Sequence, residues 1–266
     1  MPTLTIVTPA LNSASTIEQA LRSVAAHDSG GAIEHVVVDG GSTDGTVERA
    51  RAVPGVRVIS EPDHGLSDAM NKGIALASGE WIGWLNADDY YLPGALQRVE
   101  AAIRANPGAD WVTGICPIVD ERGREIRPWV TQYKRFFLRR FSFESLLVQN
   151  FVAAPATFVR RSALLEAGGF DLRFRYSMDY DLWLRLARRS TPVVVDDPLA
   201  VFRMAEGTLS MTGFEHQFRE HALNAREHGR GHPLAVAANA LVSRAIIVAY
   251  HGLRVARSLR GATEAG

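Results

Sequence analysis

Between residues 4 and 115 the chain repeats one unit: a short apolar run, a polar loop, then a helical stretch. The runs are Leu4 to Thr8, His35 to Asp39, Val56 to Ser60, Trp81 to Leu85 and Trp111 to Ile115. Their β-branched and aromatic content reads as strand. Between them, Ile17, Leu21 and Val24 recur on one helical face, and helices are expected to about Ala52, from Asp68 to Ala77, and from Pro93 to Asn106-Pro107-Gly108. Ser15-x-x-Glu18 reads as a capping box, Thr43 or Asp44 as a cap, Gly30-Gly31 as the close of the first unit and Gly79 as a helix stop. This alternation admits few folds. Strands joined through helices run parallel, and a parallel sheet needs both faces covered. The expected class is α/β, a mostly parallel central sheet with helices on both faces.

Composition narrows the function. The 266 residues suit one large domain, or one domain with a helical tail. Lys+Arg and Asp+Glu are both 29, so no global charge argues for nucleic acid, and no nucleic-acid partner is expected. The single cysteine, Cys116, excludes an internal disulfide and a multi-cysteine zinc site. With no signal-peptide pattern at the start, a cytoplasmic protein is expected.

Open α/β sheets bind ligands at the C-terminal edge of the strands. Here that edge carries Thr8 to Asn12, Asp39, Glu61 to Asp68, and Asn86 to Asp89. No G-x-G-x-x-G follows the first strand and no P-loop pattern occurs, so neither a dinucleotide nor a P-loop site is expected. The fourth loop is the sharpest signal. The run Trp81-Ile82-Gly83-Trp84-Leu85 ends in the adjacent carboxylates Asp88 and Asp89. Two like charges side by side repel, and a divalent cation shared with a phosphate would relieve them; hard oxygen ligands suit Mg²⁺ or Mn²⁺. The plainer reading is a solvated Asp-rich turn.

After residue 120 the rhythm changes. Glu121-Arg122-Gly123 reads as a hairpin turn, and Arg122 to Arg140 holds seven basic residues against one acid, interleaved with aromatics. Such a segment can sit on an anionic membrane surface, bind an anionic acceptor, or form an ordinary solvated helix with its Phe face inward. Short helices are expected at 163–167 and 181–187, and a strand at 192–195. From about Phe214 the tail is helical in composition, and its apolar part is interrupted by Arg244. A central Arg is costly in a bilayer, so a helix on the membrane or docked on the domain is expected rather than a span.

Four ordered motifs then carry a resemblance. Thr8-Pro9-Ala10-Leu11-Asn12, Val37-Val38-Asp39-Gly40-Gly41-Ser42-Thr43-Asp44-Gly45-Thr46, Leu85-Asn86-Ala87-Asp88-Asp89, and Gly168-Gly169-Phe170-Asp171 with Asp179-Tyr180-Asp181 resemble the signature of glycosyltransferase family 2. The resemblance spans about residues 3–212 and is closest to enzymes of cell-surface polysaccharides and glycolipids. It implies a GT-A fold with a nucleotide-sugar-binding half (1–115), an acceptor half (116–212) and a C-terminal helical extension (213–266). It implies inverting transfer from a UDP-, GDP- or dTDP-sugar to a glycan or glycolipid hydroxyl, with Mg²⁺ or Mn²⁺. By the same resemblance Asp89 is the direct metal ligand, and Asp88 faces the ribose or shares the metal. Asp39 contacts base or ribose, Thr8, Pro9 and Asn12 line the nucleoside pocket, and Asp68, paired with Lys72, lies with the donor-binding residues. Asp179 is the general base, with Asp181 as the alternative or as a dipole-stabilised helix acid.

Departures from the family pattern are Asn86 for an acid, Met70 for an arginine, Met178 for a glutamate, and Met204 near the place of a metal-binding histidine, where Ser210 or water would substitute. His64 is a minor site candidate. The competing readings are a nucleotidyltransferase, whose basic Gly-rich loop the 9–14 stretch lacks, and a catalytically degenerate sugar-nucleotide-binding relative. Segments 122–143 and 233–260 are the candidate membrane contacts, at the inner face of the plasma membrane.

Overall fold

The computed structural model describes residues 3–27, 32–204 and 213–263, with side chains to 248. Gly30-Gly31 and Ser210 lie outside the described residues. The strands β1 (Leu4–Ala10), β2 (Ile33–Asp39), β3 (Val56–Ser60), β4 (Trp81–Trp84), β6 (Trp111–Ile115), β8 (Thr157–Arg160) and β9 (Val193–Pro198) form one sheet in the order β3-β2-β1-β4-β8-β6-β9. Only β8 runs against its neighbours. A small second sheet joins β5 (Tyr90–Tyr91), β10 (Ala200–Arg203) and β7 (Ile118–Val119). The register aligns Ala10 with Asp39 and Asp39 with Ser60, so three strands end at one edge.

Helices α1 (Ile17–Ala25), α2 (Thr46–Arg51), α3 (Leu66–Leu76) and α4 (Ala95–Ala105) follow the expected rhythm within a few residues. The Ser15–Glu18 capping box does not form. Helix α1 begins at Ile17 with no side-chain cap, and Glu18 pairs with Arg22. The cause is tertiary: Ser13 N–H donates to Thr46 and Ala14 N–H to Asp44, which fixes the entry to the helix from the next loop. Of the two α2 cap candidates, Asp44 accepts the Thr46 N–H at 3.0 Å.

The chain continues through α5 (Pro128–Arg139), α6 (Phe143–Val148), a 3₁₀ turn (Ala154–Ala156), α7 (Arg161–Glu166) and α8 (Met178–Ala187). The chain then adds α9 (Phe214–His228) and α10 (Pro233–Thr263). Trp84, Trp183 and Trp111 stack with centroids 5.3 and 5.8 Å apart and bind β4, α8 and β6 into one core. Truncating such a residue to Ala costs about 3–5 kcal/mol. Gly83 is required in β4, since a Cβ there would lie 2.6 Å from the Phe158 ring on β8. Among the described residues no helix is long and apolar enough to cross a membrane. Helix α10 instead docks: buried Asn239 donates to the Leu147 and Val148 carbonyls at the end of α6. Its outer face leaves Leu234, Leu241 and Val248 exposed.

Candidate functional site

Two groups of residues meet at the C-terminal edge of the sheet. The first is a closed network. Asp39, fully buried, accepts from Gly41 and Ser42 N–H and from the Ser42 and Ser60 hydroxyls. Burial works to raise this carboxyl, but those donors outweigh it and hold it below the usual carboxylate range. Asn12, with the positive φ of 48° that Asn tolerates, accepts from Thr43 N–H and donates its own N–H to Ser42. So Asn12 and Asp39 belong to one hydrogen-bonded unit. Thr8 lies inside the sheet, its hydroxyl 2.9 Å from His35 Nε2, and Pro9 is buried beside it. Burial lowers His35 to about 3, so it is neutral there. Asp68 accepts the His64 N–H and lies 3.6 Å from Lys72, the expected pairing; His64 itself is exposed.

The second group lines a cavity of about 470 Å³ that contains Asp88, Asn86, Asp179, Asn150, Lys134 and His221. Asp88 and Asp89 divide sharply. Asp89 is 1% exposed, and its two oxygens accept from Arg203 N–H at 2.8 Å and Asn86 Nδ2 at 3.0 Å. It does not line the cavity. Asp88 does, with the Arg203 guanidinium as its counter-charge. Burial raises Asp88, and burial together with the Asp88 charge pushes Asp89 well above the usual range. Asn86 therefore has a physical reason to be neutral: it donates to Asp89 where a third acid would only repel.

The facing wall comes from α8. Asp179 lies in its first turn, where the helix dipole favours an anion. It accepts from Tyr180 N–H at 2.7 Å and from Asn150 Nδ2 at 3.4 Å. Burial raises it, and these donors with the Lys134 ammonium oppose that rise. Asp181 is turned away. It is buried, bonded to Arg185 and to His228 Nε2 at 2.8 Å, and absent from the cavity lining.

Met178, Met70 and Met204 all line the cavity and give its wall apolar character where the family pattern carries charge. Several groups here have no short sequence signature. Glu220 of α9 accepts from Arg175, Tyr176 and Ser177 N–H and so caps α8 from outside. His221 lines the cavity with an unpartnered Nε2, and burial lowers it to about 3. The C-terminal extension thus builds part of the site.

The donor chemistry fits a hard divalent cation at Asp88. An adjacent acid pair, Asp89 buried and Asp88 half-buried, with a guanidinium nearby concentrates negative charge when ionised. Among the described residues no third His, Cys, Asp or Glu joins the pair. Such a set leaves most coordination to phosphate and water, as Mg²⁺ prefers.

The family model described as Glycosyl transferase family 2 matches residues 5–167. An uncharacterised glycosyltransferase of Mycobacterium tuberculosis is 35% identical over 207 residues, 76% of this chain and 75% of the relative. A PGL/p-HBAD biosynthesis glycosyltransferase of Mycobacterium bovis is 35% identical over 190 residues, 69% of each. Among solved structures, S. aureus TarS 1-349 in complex with UDP-GlcNAc superposes with TM-score 0.66 at 20% identity, covering 84% of this chain and 66% of that one. The mannosyltransferase PcManGT from Pyrobaculum calidifontis in complex with GDP-Man and Mn²⁺ gives 0.63 at 19% identity, covering 96% and 81%. The chain thus spans just under two thirds of the TarS fragment, and at these identities both structures speak for the fold, which is GT-A.

Proposed function

The chain belongs to glycosyltransferase family 2, and from that premise we propose that it moves a sugar, with inversion, from a nucleoside-diphosphate sugar to a hydroxyl of a lipid-linked or cell-envelope acceptor. One observation carries this reading: a single cavity holds two acids from opposed elements, Asp88 after β4 and Asp179 at the head of α8.

In the proposed mechanism Asp179 takes the proton of the acceptor hydroxyl as that oxygen attacks the anomeric carbon. Asn150 and the Tyr180 N–H hold the carboxylate in place, and its raised proton affinity suits a base. Asp88 would hold a Mg²⁺ or Mn²⁺ ion, which when bound offsets charge on the departing diphosphate. Asp89 acts one step behind, tying the loop to β10 through Arg203 and to Asn86. Asp39, Asn12, Thr8 and Pro9 shape the nucleoside end, the first through its hydrogen-bonded loop, with Asp68 at its margin. The division into a donor half (1–115) and an acceptor half (116–212) is retained in this proposal, with 213–266 extended in role because α9 reaches the cavity.

The envelope assignment is supported by the mycobacterial relative named for PGL/p-HBAD biosynthesis, and the nucleotide-sugar donor by the UDP-GlcNAc and GDP-Man complexes of the two solved structures. Membrane contact, part of the same proposal, would use the exposed Trp129 and Phe136 of α5 and the outer face of α10. A Leu234, Leu241 and Val248 to Ser triple variant should then float less with anionic liposomes than the parent chain; equal flotation refutes the α10 contact. The donor reading is tested by a thermal-shift panel of UDP-, GDP- and dTDP-sugars with and without Mn²⁺. A metal-dependent shift with one nucleoside is expected, and no shift with any of them contradicts the proposal.

A further inference from the structure

Helix α5 presents two kinds of cation. Arg135 and Arg139 clamp Asp196. Lys134, immediately before Arg135 in sequence, instead lines the cavity and forms no ion pair among the described residues. The cation Arg127, one residue before α5, stands at the same cavity with no ion pair among the described residues. Its φ is 59°, a left-handed conformation that a non-glycine residue adopts only at a cost. Arg175, just before α8, also lines the cavity and is exposed; its backbone N–H goes to Glu220, but its guanidinium has no carboxylate among the described residues. Three cations therefore converge on one opening in a chain whose formal charge is zero.

Their place in the cavity decides what they serve. The counter-charge beside Asp88 is Arg203. The ammonium of Lys134 instead acts on Asp179 and His221. Lys134 thus lies near the proposed base, Arg175 just precedes the helix that carries that base, and Arg127 lines the same cavity. The same cavity is lined by the aromatic rings of Phe170, Phe202 and Phe218. Resting on the reading of Asp179 as the base, we propose that Lys134, Arg127 and Arg175 form an acceptor subsite for an amphiphile that carries an anionic phosphate or carboxylate beside an apolar body. Ammonium and guanidinium groups in a partly dehydrated cavity hold such an anion by charge-assisted hydrogen bonds. The aromatic wall takes the apolar body.

The test is calorimetric titration of the full chain, with and without saturating Mn²⁺ and the nucleoside diphosphate that the donor panel selects. Decyl phosphate, decanoate, decyl β-D-glucoside and inorganic phosphate are the probes. Decyl phosphate or decanoate should bind at least tenfold tighter than the glucoside and than inorganic phosphate. Lys134→Met should weaken the anionic amphiphile at least tenfold and leave the nucleotide within about twofold, while Lys134→Arg restores binding. Arg127→Gly should weaken the same probe without lowering Tm, because glycine accepts the backbone conformation that arginine strains. Equal binding of decyl glucoside and decyl phosphate overturns the subsite, as does inorganic phosphate binding as tightly as decyl phosphate. Loss of nucleotide rather than amphiphile binding in Lys134→Met assigns the cations to the donor and also overturns it. Failure of the parent chain to bind any nucleoside diphosphate with Mn²⁺ would instead count against the donor reading.

Discussion

Asp39 and Asp88 follow two strands of the same sheet, and both lie in signature motifs, yet their surroundings differ. The oxygens of Asp39 accept four donors, and its carboxyl is held low. Asp88 faces a cavity beside a second acid, and burial raises its carboxyl. The same contrast repeats on α8, where Asp181 is locked between Arg185 and His228 while Asp179 opens onto the cavity. A motif acid can therefore build a site or line it, and what separates the two is whether its carboxylate is enclosed by the protein or lines the cavity. Closed acids contribute stability. Open acids cost stability until a ligand satisfies them.

The largest effect should come from opening the comparison at its working end. Asp88→Asn is expected to lower turnover by about 10³-fold, the scale of removing one transition-state charge stabiliser, measured as sugar transfer or donor hydrolysis. Asp179→Asn should lower turnover by about 10²–10⁴-fold, the usual worth of a general base, while nucleotide affinity changes less than about threefold. The closed acids should respond in stability. Asp181→Ala strands Arg185 and should cost about 3–5 kcal/mol in denaturant unfolding, with the folded fraction still binding nucleotide. Asp39→Asn should cost a smaller ~1–3 kcal/mol by leaving its donors mismatched.

The pH dependence follows from the same division. A carboxyl held low in the folded state, such as Asp39, contributes stability above its unfolded pKa, and that contribution fades as pH falls through the folded value. A raised one, such as Asp88, Asp89 or Asp179, contributes in the opposite sense: its stabilisation is present at low pH and is lost as pH rises through the folded pKa. Stabilisation by Mn²⁺ with nucleotide should accordingly grow from acid toward neutral pH. The acid limb of kcat/KM should fall at a pH above the ~3.9 of an unperturbed Asp, because Asp179, as the proposed base, would have to be ionised. A limb at or below that value would sever Asp179 from the role of base.

Much of this architecture was legible in the sequence. Apolar runs with helical spacers are local patterns, so β1 to β4, β6 and the helices between them could be read directly. The antiparallel β8 could not, because a four-residue strand behind Ala154-Pro155-Ala156 has no period of its own. The acids could be found but not sorted. Whether Asp89 or Asp88 faces the cavity depends on Arg203, which is 114 residues away in sequence from Asp89. The cap on α8 comes from Glu220 and part of the cavity wall from His221, both on a helix that composition alone marked only as tail. Tertiary hydrogen bonds, not local propensity, assign those roles. The tail's apolar stretch reads as docked or membrane-lying, and the Asn239 bonds to α6 supply the docking.

The central claim is that an open acid, and not its closed neighbour, receives the ligand. Calorimetric titration of the Mn²⁺–nucleoside diphosphate complex into the parent chain, Asp88→Asn and Asp181→Asn tests it directly. Asp88→Asn is expected to lose metal-dependent binding while folded Asp181→Asn keeps it within about threefold, since only the former removes a cavity charge. Binding by Asp88→Asn equal to that of the parent chain would contradict it.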